Sequence, residues 1–187
     1  MFPSFLKRKS VIILAAAGFL VSIIFMVYGF APVISVNGER ASLSEFLKVQ
    51  SAITNMDKNA NNGVLKLSDD AIKERVFGNI IDKILMDALI TRTDTSLDKK
   101  AEELVKQAIG QNPTLQLDEA AKTLYGLSAG DFIELVLLPQ AKRDLLNERF
   151  RDNPTQLNET WESLIKTADI KIYYPGYKWE DGEIKKK

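Results

Sequence analysis

The groups with which this chain could do chemistry are carboxylates, ammonium and guanidinium groups, and hydroxyls, because it contains neither His nor Cys. Those two absences remove thiol nucleophiles, Ser-His and Cys-His dyads, and the usual zinc ligand sets. They also remove a lipoprotein anchor, which needs an acylated Cys. What remains in principle is a carboxylate pair, a Ser-Lys pair, or an oxygen-lined Ca²⁺ or Mg²⁺ site. The spacing singles out none of these. The acids recur at helix-surface intervals, and neither a D-x-[DN]-x-[DN]-G loop nor a Gly-rich phosphate loop is present. The Asn158-Glu159-Thr160 sequon reads as fortuitous. The expectation is a protein without catalytic residues, metal or cofactor.

The elements behind those residues begin with an apolar stretch, Val11 to Ile34, that holds no charge. Val11 to Pro32 is long enough to cross a bilayer core of about 30 Å as a helix rising about 1.5 Å per residue. It is longer than the apolar core of a cleaved signal peptide. Lys7, Arg8 and Lys9 precede it, and basic residues stay on the cytoplasmic side. The expectation is therefore a basic cytoplasmic segment over 1–10 and a single transmembrane helix over 11–32. The remaining chain would lie on the extracytoplasmic side of the cytoplasmic membrane, in contact with its lipid. Setting the three leading cations aside leaves 22 Lys and Arg against 25 Asp and Glu. A slightly acidic domain of this kind excludes a nucleic-acid partner, which calls for a basic face.

From residue 33 the pattern is mostly helical. Val33 to Val36 is a β-rich run, and Asn37-Gly38 is a strong two-residue hairpin signal. Ser42 and Ser68 open helices with capping-box patterns. The second of these runs to about Arg92 and repeats Ile72, Val76, Phe77, Ile80, Ile81, Ile84, Leu85, Ala88 and Leu89. So wide an apolar stripe predicts a central core helix, with Gly78 at a close helix crossing. Asp57 to Gly63 reads as a mobile loop. Further helices follow from Asp98, Asp118 and Ser128, and Pro139 predicts a kink in the last of these. Asn153-Pro154 opens the final helix. Ile170 to Tyr174 alternates as a strand, and residues 178–187 read as a charged tail expected to fray. A lone hairpin is marginal in water, so the last strand is expected to pair with the first hairpin.

Several of these segments resemble the chaperone domain of SurA-, PrsA- and PpiD-type proteins. Val36-Asn37-Gly38-Glu39 with Leu43-Ser44-Glu45-Phe46 is similar to that domain's start. Tyr125-Gly126-Leu127-Ser128, Asp131-Phe132, Val136 to Pro139 and Leu145-Leu146 are similar to the segment after its core helix. Trp161 and Ala168 to Ile172 are similar to its closing helix and strand. The best-known members carry a parvulin-type isomerase domain before the final helix. Here Phe150 runs almost directly to Pro154, and the histidines of that site are absent. The resemblance thus implies a mainly α chaperone domain over 33–177 without isomerase activity. It implies an ATP-independent holdase whose partners are unfolded or newly exported polypeptides, with the secretion translocon a further candidate. The candidate client contacts are the apolar side chains beyond those the core needs, Tyr125, Phe132, Leu135, Leu138 and Phe150. The alternative is a non-enzymatic scaffolding subunit of an envelope or secretion complex.

Overall fold

Asn37 and Gly38 both take positive φ, 53° and 88°, which makes the type I′ turn that suits the twist of the strands it joins. The computed structural model describes residues 31–111 and 116–187. Strands β1 (Pro32–Val36) and β2 (Glu39–Ser42) flank the turn, and β1 also pairs antiparallel with β3 (Ile170–Ile172), in the order β2-β1-β3. Ile34 faces Ile172, and Val36 faces Ile170. The first and last parts of the domain therefore meet in one sheet, whose central strand is buried from Val33 to Val36.

Ser42 caps helix α1 (Leu43–Ala60) by accepting from the Glu45 amide at 3.2 Å. Ser68 caps α2 (Asp69–Thr93) in the same way through Ala71. Both satisfy a donor that a helix start leaves orphaned. The α2 stripe is buried as its periodicity requires, Ala88 excepted, and Met86 and Ile90 join it. Full burial of each large side chain contributes about 1.5–3 kcal/mol. Phe46 of α1 and Phe77 of α2 meet at 5.0 Å between ring centroids, and Tyr174 and Tyr177 close the aromatic group. This first core sits beside the sheet. A second, around Met86, Leu89, Ile90, Leu97, Leu146 and Leu164, lies further along α2, and Trp161 packs against both.

Helix α3 (Ser96–Gly110) follows α2, then a short α4 (Leu117–Ala120) widens into a π-helical turn, Ala121–Tyr125. Next comes α5 (Ala129–Phe132), a second π-helical turn (Ile133–Leu137) and α6 (Leu138–Arg149). These form one continuous helical arm over 129–149. The expected disruption at Pro139 takes the form of that π turn. The Leu138 amide donates to the Ile133 carbonyl five residues back, and Pro139, which has no N–H to donate, follows directly where the chain returns from π-helical to α-helical spacing. Helix α7 (Pro154–Thr167) closes the series, with Asn153 Oδ1 accepting from the Gln156 amide at 3.3 Å.

Four expectations are corrected. Among the described residues no helix is long and apolar enough to cross a membrane. Pro32, placed at the end of a transmembrane helix over 11–32, already belongs to β1, and residues 11–30 lie outside the described residues. The fold class is thus a mainly helical domain with small sheets. One of those sheets was not expected at all. Residues read as a fraying tail form a second hairpin, β4 (Tyr177–Glu180) with β5 (Glu183–Lys186), turning at Asp181 and Gly182. Its alternating Tyr177 and Trp179 pack on the first core, so the tail has a buried face despite its charge. Gly78 marks no helix crossing, because a Cβ there would meet nothing within 4 Å. The loop after α1 is tied back: Asp57 Oδ2 accepts from the amides of Lys66 at 2.6 Å and Leu67 at 3.2 Å.

Candidate functional site

The arm over 129–149 is held by charged and polar contacts more than by burial. Lys48 on α1 donates to Asp131 Oδ1 at 2.5 Å, and Ser128 donates to the other oxygen of Asp131 at 2.7 Å. The Lys48 hydrogen bond is the main reason the Asp131 carboxyl titrates below its ordinary range. At the far end Lys142 of α6 donates to Asp87 Oδ1 of α2 at 2.6 Å and lies 2.8 Å from Asp98 Oδ1 of α3. The Asp98 contact is an ion pair off the hydrogen-bonding direction, since Oδ1 there has no hydrogen-bond partner. Burial pulls the Lys142 ammonium down, but the two carboxylates outweigh it and raise its affinity for the proton. Lys142 therefore stays charged and fixes α6 to two helices at once.

Between these anchors, every side chain from Phe132 to Pro139 except Glu134 is apolar, and none is fully buried. They are half-buried, and four of them line grooves on different sides of the arm. Leu135 and Pro139 face a narrow groove of about 50 Å³ shared with Val49 of α1 and Ile80, Lys83 and Met86 of α2. Ile133 and Leu138 face a wider one of about 250 Å³, completed by Val105, Lys106 and Ile109 of α3.

A third cleft of about 260 Å³ lies among three helices. Asp82, Met86 and Leu89 enter from α2, Arg143, Leu146 and Asn147 from α6, and Leu157, Asn158 and Trp161 from α7. Each trio shares one face of its helix, as spacings of three and four residues dictate. Met86 and Arg143 also line the narrow groove. Burial pushes the Asp82 carboxyl above its ordinary range, and the Arg143 guanidinium offsets only part of that.

The five candidate side chains for client contact do not form one patch. Tyr125 and Phe132 touch, with ring centroids 4.7 Å apart. Leu135 and Leu138 lie in different grooves. Phe150 packs against the second core beside the arm's end. Lys7, Arg8 and Lys9 lie outside the described residues. Sequence reasoning missed Leu47, which is 53% exposed on α1 at the rim of a groove with Lys48, Ser128 and Asp131. It also missed the polar rim of the three-helix cleft. The apolar run at 132–139 was the one legible signal, because it exceeds what one buried helix stripe needs.

Among the described residues no group of three or more acidic, His or Cys side chains converges on a place for a metal ion. Comparison with known protein families, with curated proteins and with solved structures finds no match to this chain.

Proposed function

We propose that this domain is an ATP-independent holdase that binds extended segments of unfolded polypeptide along the arm over 129–149. One observation carries the reading: from Phe132 to Pro139 an almost wholly apolar helix has no fully buried residue. Apolar helical stripes are ordinarily core, as the ten buried residues of α2 illustrate. Here the same kind of surface is divided among open grooves with charged rims, a form that serves many weak contacts better than one tight one. The sequence resemblance to SurA-type chaperone domains supports the same reading. The groove rims carry both signs, Lys106 and Arg143 beside Glu102 and a Lys83 paired with Glu45 at 2.8 Å, so they can meet polar client groups of either kind while the apolar floor takes side chains.

We place this activity on the extracytoplasmic side of a cytoplasmic membrane, with newly exported chains as clients. The support is the charge-free stretch from Val11 and the cations at Lys7, Arg8 and Lys9. The test is aggregation of a chemically unfolded client, followed by light scattering with full-length protein at near-stoichiometric ratio. Suppression is the expected result. Absence of suppression, with recovery of one fixed partner from cells, would replace the holdase with a scaffolding subunit.

A further inference from the structure

The three-helix cleft carries more than a generic apolar surface does. Its floor is Met86, Leu89, Leu146 and Leu157, and its polar groups are Asp82, Arg143, Asn147, Asn158 and the Trp161 indole. None of those five polar groups forms a hydrogen bond or ion pair with another described residue, although Asp82 and Trp161 are only partly exposed. Arg143, Asn147 and Asn158 are exposed, so all five groups are open to an incoming ligand at one mouth.

We propose that this cleft seats one peptide unit and one large apolar side chain of an extended polypeptide, with Asp82, Asn158 and Arg143 hydrogen-bonding its main chain and Trp161 covering its side chain. The site rests on the holdase reading and gives it a defined subsite. Three features select a main chain over other occupants. A peptide unit offers one N–H and one C=O, and the rim offers an acceptor in Asp82, a donor in Arg143, and both in the carboxamides of Asn147 and Asn158. The charges of Asp82 and Arg143 cancel, which fits a neutral group better than a free cation or anion. The volume, about 260 Å³, falls just under the roughly 300–1,000 Å³ of small-molecule sites and suits a single large residue. A donor arriving at Asp82 also offsets the burial that raises its pKa.

Trp161 is a built-in reporter, because the chain has only two tryptophans and the other, Trp179, can be replaced by Phe. The experiment titrates the full-length Trp179→Phe protein with the end-blocked peptide N-acetyl-Ser-Leu-Leu-Ser-amide and reads Trp161 emission. The expected result is a saturable change. Asn158→Ala and Asp82→Ala each weaken binding by about tenfold, the scale of one lost hydrogen bond to a charged or carboxamide group. Asn158 is exposed, so its replacement leaves the fold intact. Calorimetry on the unsubstituted chain should give the same ranking. Unchanged emission, indifference to both substitutions, or tighter binding of lysine amide than of the peptide would overturn the proposal. Aggregation suppression on the same preparations separates the two readings. Suppression with a silent Trp161 removes the subsite and leaves the holdase, whereas a Trp161 response without suppression does the reverse.

Discussion

Asn37 and Asp169, 132 residues apart, hold each other by two reciprocal hydrogen bonds. The Asn37 amide donates to the Asp169 carbonyl at 2.9 Å, and the Asp169 amide donates to Asn37 Oδ1 at 2.9 Å. The turn that joins β1 to β2 thus also receives the chain as it leaves α7 and enters β3. Asn suits the place twice over, since it tolerates the φ of 53° and its side chain reaches across. Asn37→Ala is expected to cost about 1–3 kcal/mol, from the lost hydrogen bond and the forced left-handed backbone. Asn37→Gly should cost less, because it restores the backbone and loses only the side chain. Urea unfolding midpoints of the two variants check this. Equal stability of Asn37→Ala and the parent would mean that the seam contributes nothing.

Gly126 ends the first π turn with φ of 67°, and a Cβ there would stand 2.2 Å from Asn55 Nδ2. That same Asn55 nitrogen donates to the Tyr125 carbonyl at 3.2 Å, and Asn59 donates to the carbonyls of Thr123 and Leu124. Gly126→Ala is therefore expected to destabilise by about 1–3 kcal/mol through strain and displacement of Asn55. With Asn55→Ala already made, the second cost should shrink, and a double-mutant cycle on thermal unfolding measures the difference.

The C-terminal hairpin is fastened to the start of α2 through Asp70. The Tyr177 hydroxyl donates to Asp70 Oδ1 at 2.7 Å, and Lys186 donates to Oδ2. The Lys186 hydrogen bond first, and the Tyr177 hydroxyl second, hold the Asp70 carboxyl below its ordinary range. Folded-state depression of a carboxyl pKa means the fastening is present above the ordinary range and lost as pH falls through the lowered value. Acidification should thus lower the protection of the β4 and β5 amides, taken relative to the intrinsic exchange rate at each pH, before that of the first core, as followed by hydrogen exchange. Tyr177→Phe should show the faster exchange already at neutral pH.

Asp82 has the opposite sign. Burial raises its pKa in the folded state, so its favourable contribution is present at low pH and lost as pH rises through the raised value. At neutral pH the ionised group opposes folding. Asp82→Asn is expected to raise the unfolding midpoint at pH 7 and to lose that advantage at acid pH. A fall at pH 7 would mean that the carboxylate is paired within the folded domain.

Much of this architecture is legible in the residues. The capping serines at 42, 68 and 128, Asn37-Gly38, and the stripe from Ile72 to Leu89 each state a local preference that tertiary packing agrees with. The second hairpin carried the same signal as the first, Asp181-Gly182 between alternating residues. Its four Lys and three Glu or Asp side chains from 178 to 187 obscured it, because charge on an outward face says nothing about the inward one. The π turns have no comparable signature. Nor does the three-helix cleft, whose Asp82, Arg143 and Asn158 come from three helices and converge only after α6 and α7 pack on α2. The five candidate contact residues were chosen for apolar surplus, and packing distributes them among separate grooves and the second core.

The most direct measurement is hydrogen exchange of the full-length protein with and without a saturating unfolded client. Slowed exchange concentrated over residues 129–149 and the facing turns of α2 is the expected result. Protection confined to the strands or the C-terminal hairpin, or none at all, would contradict a client-binding arm.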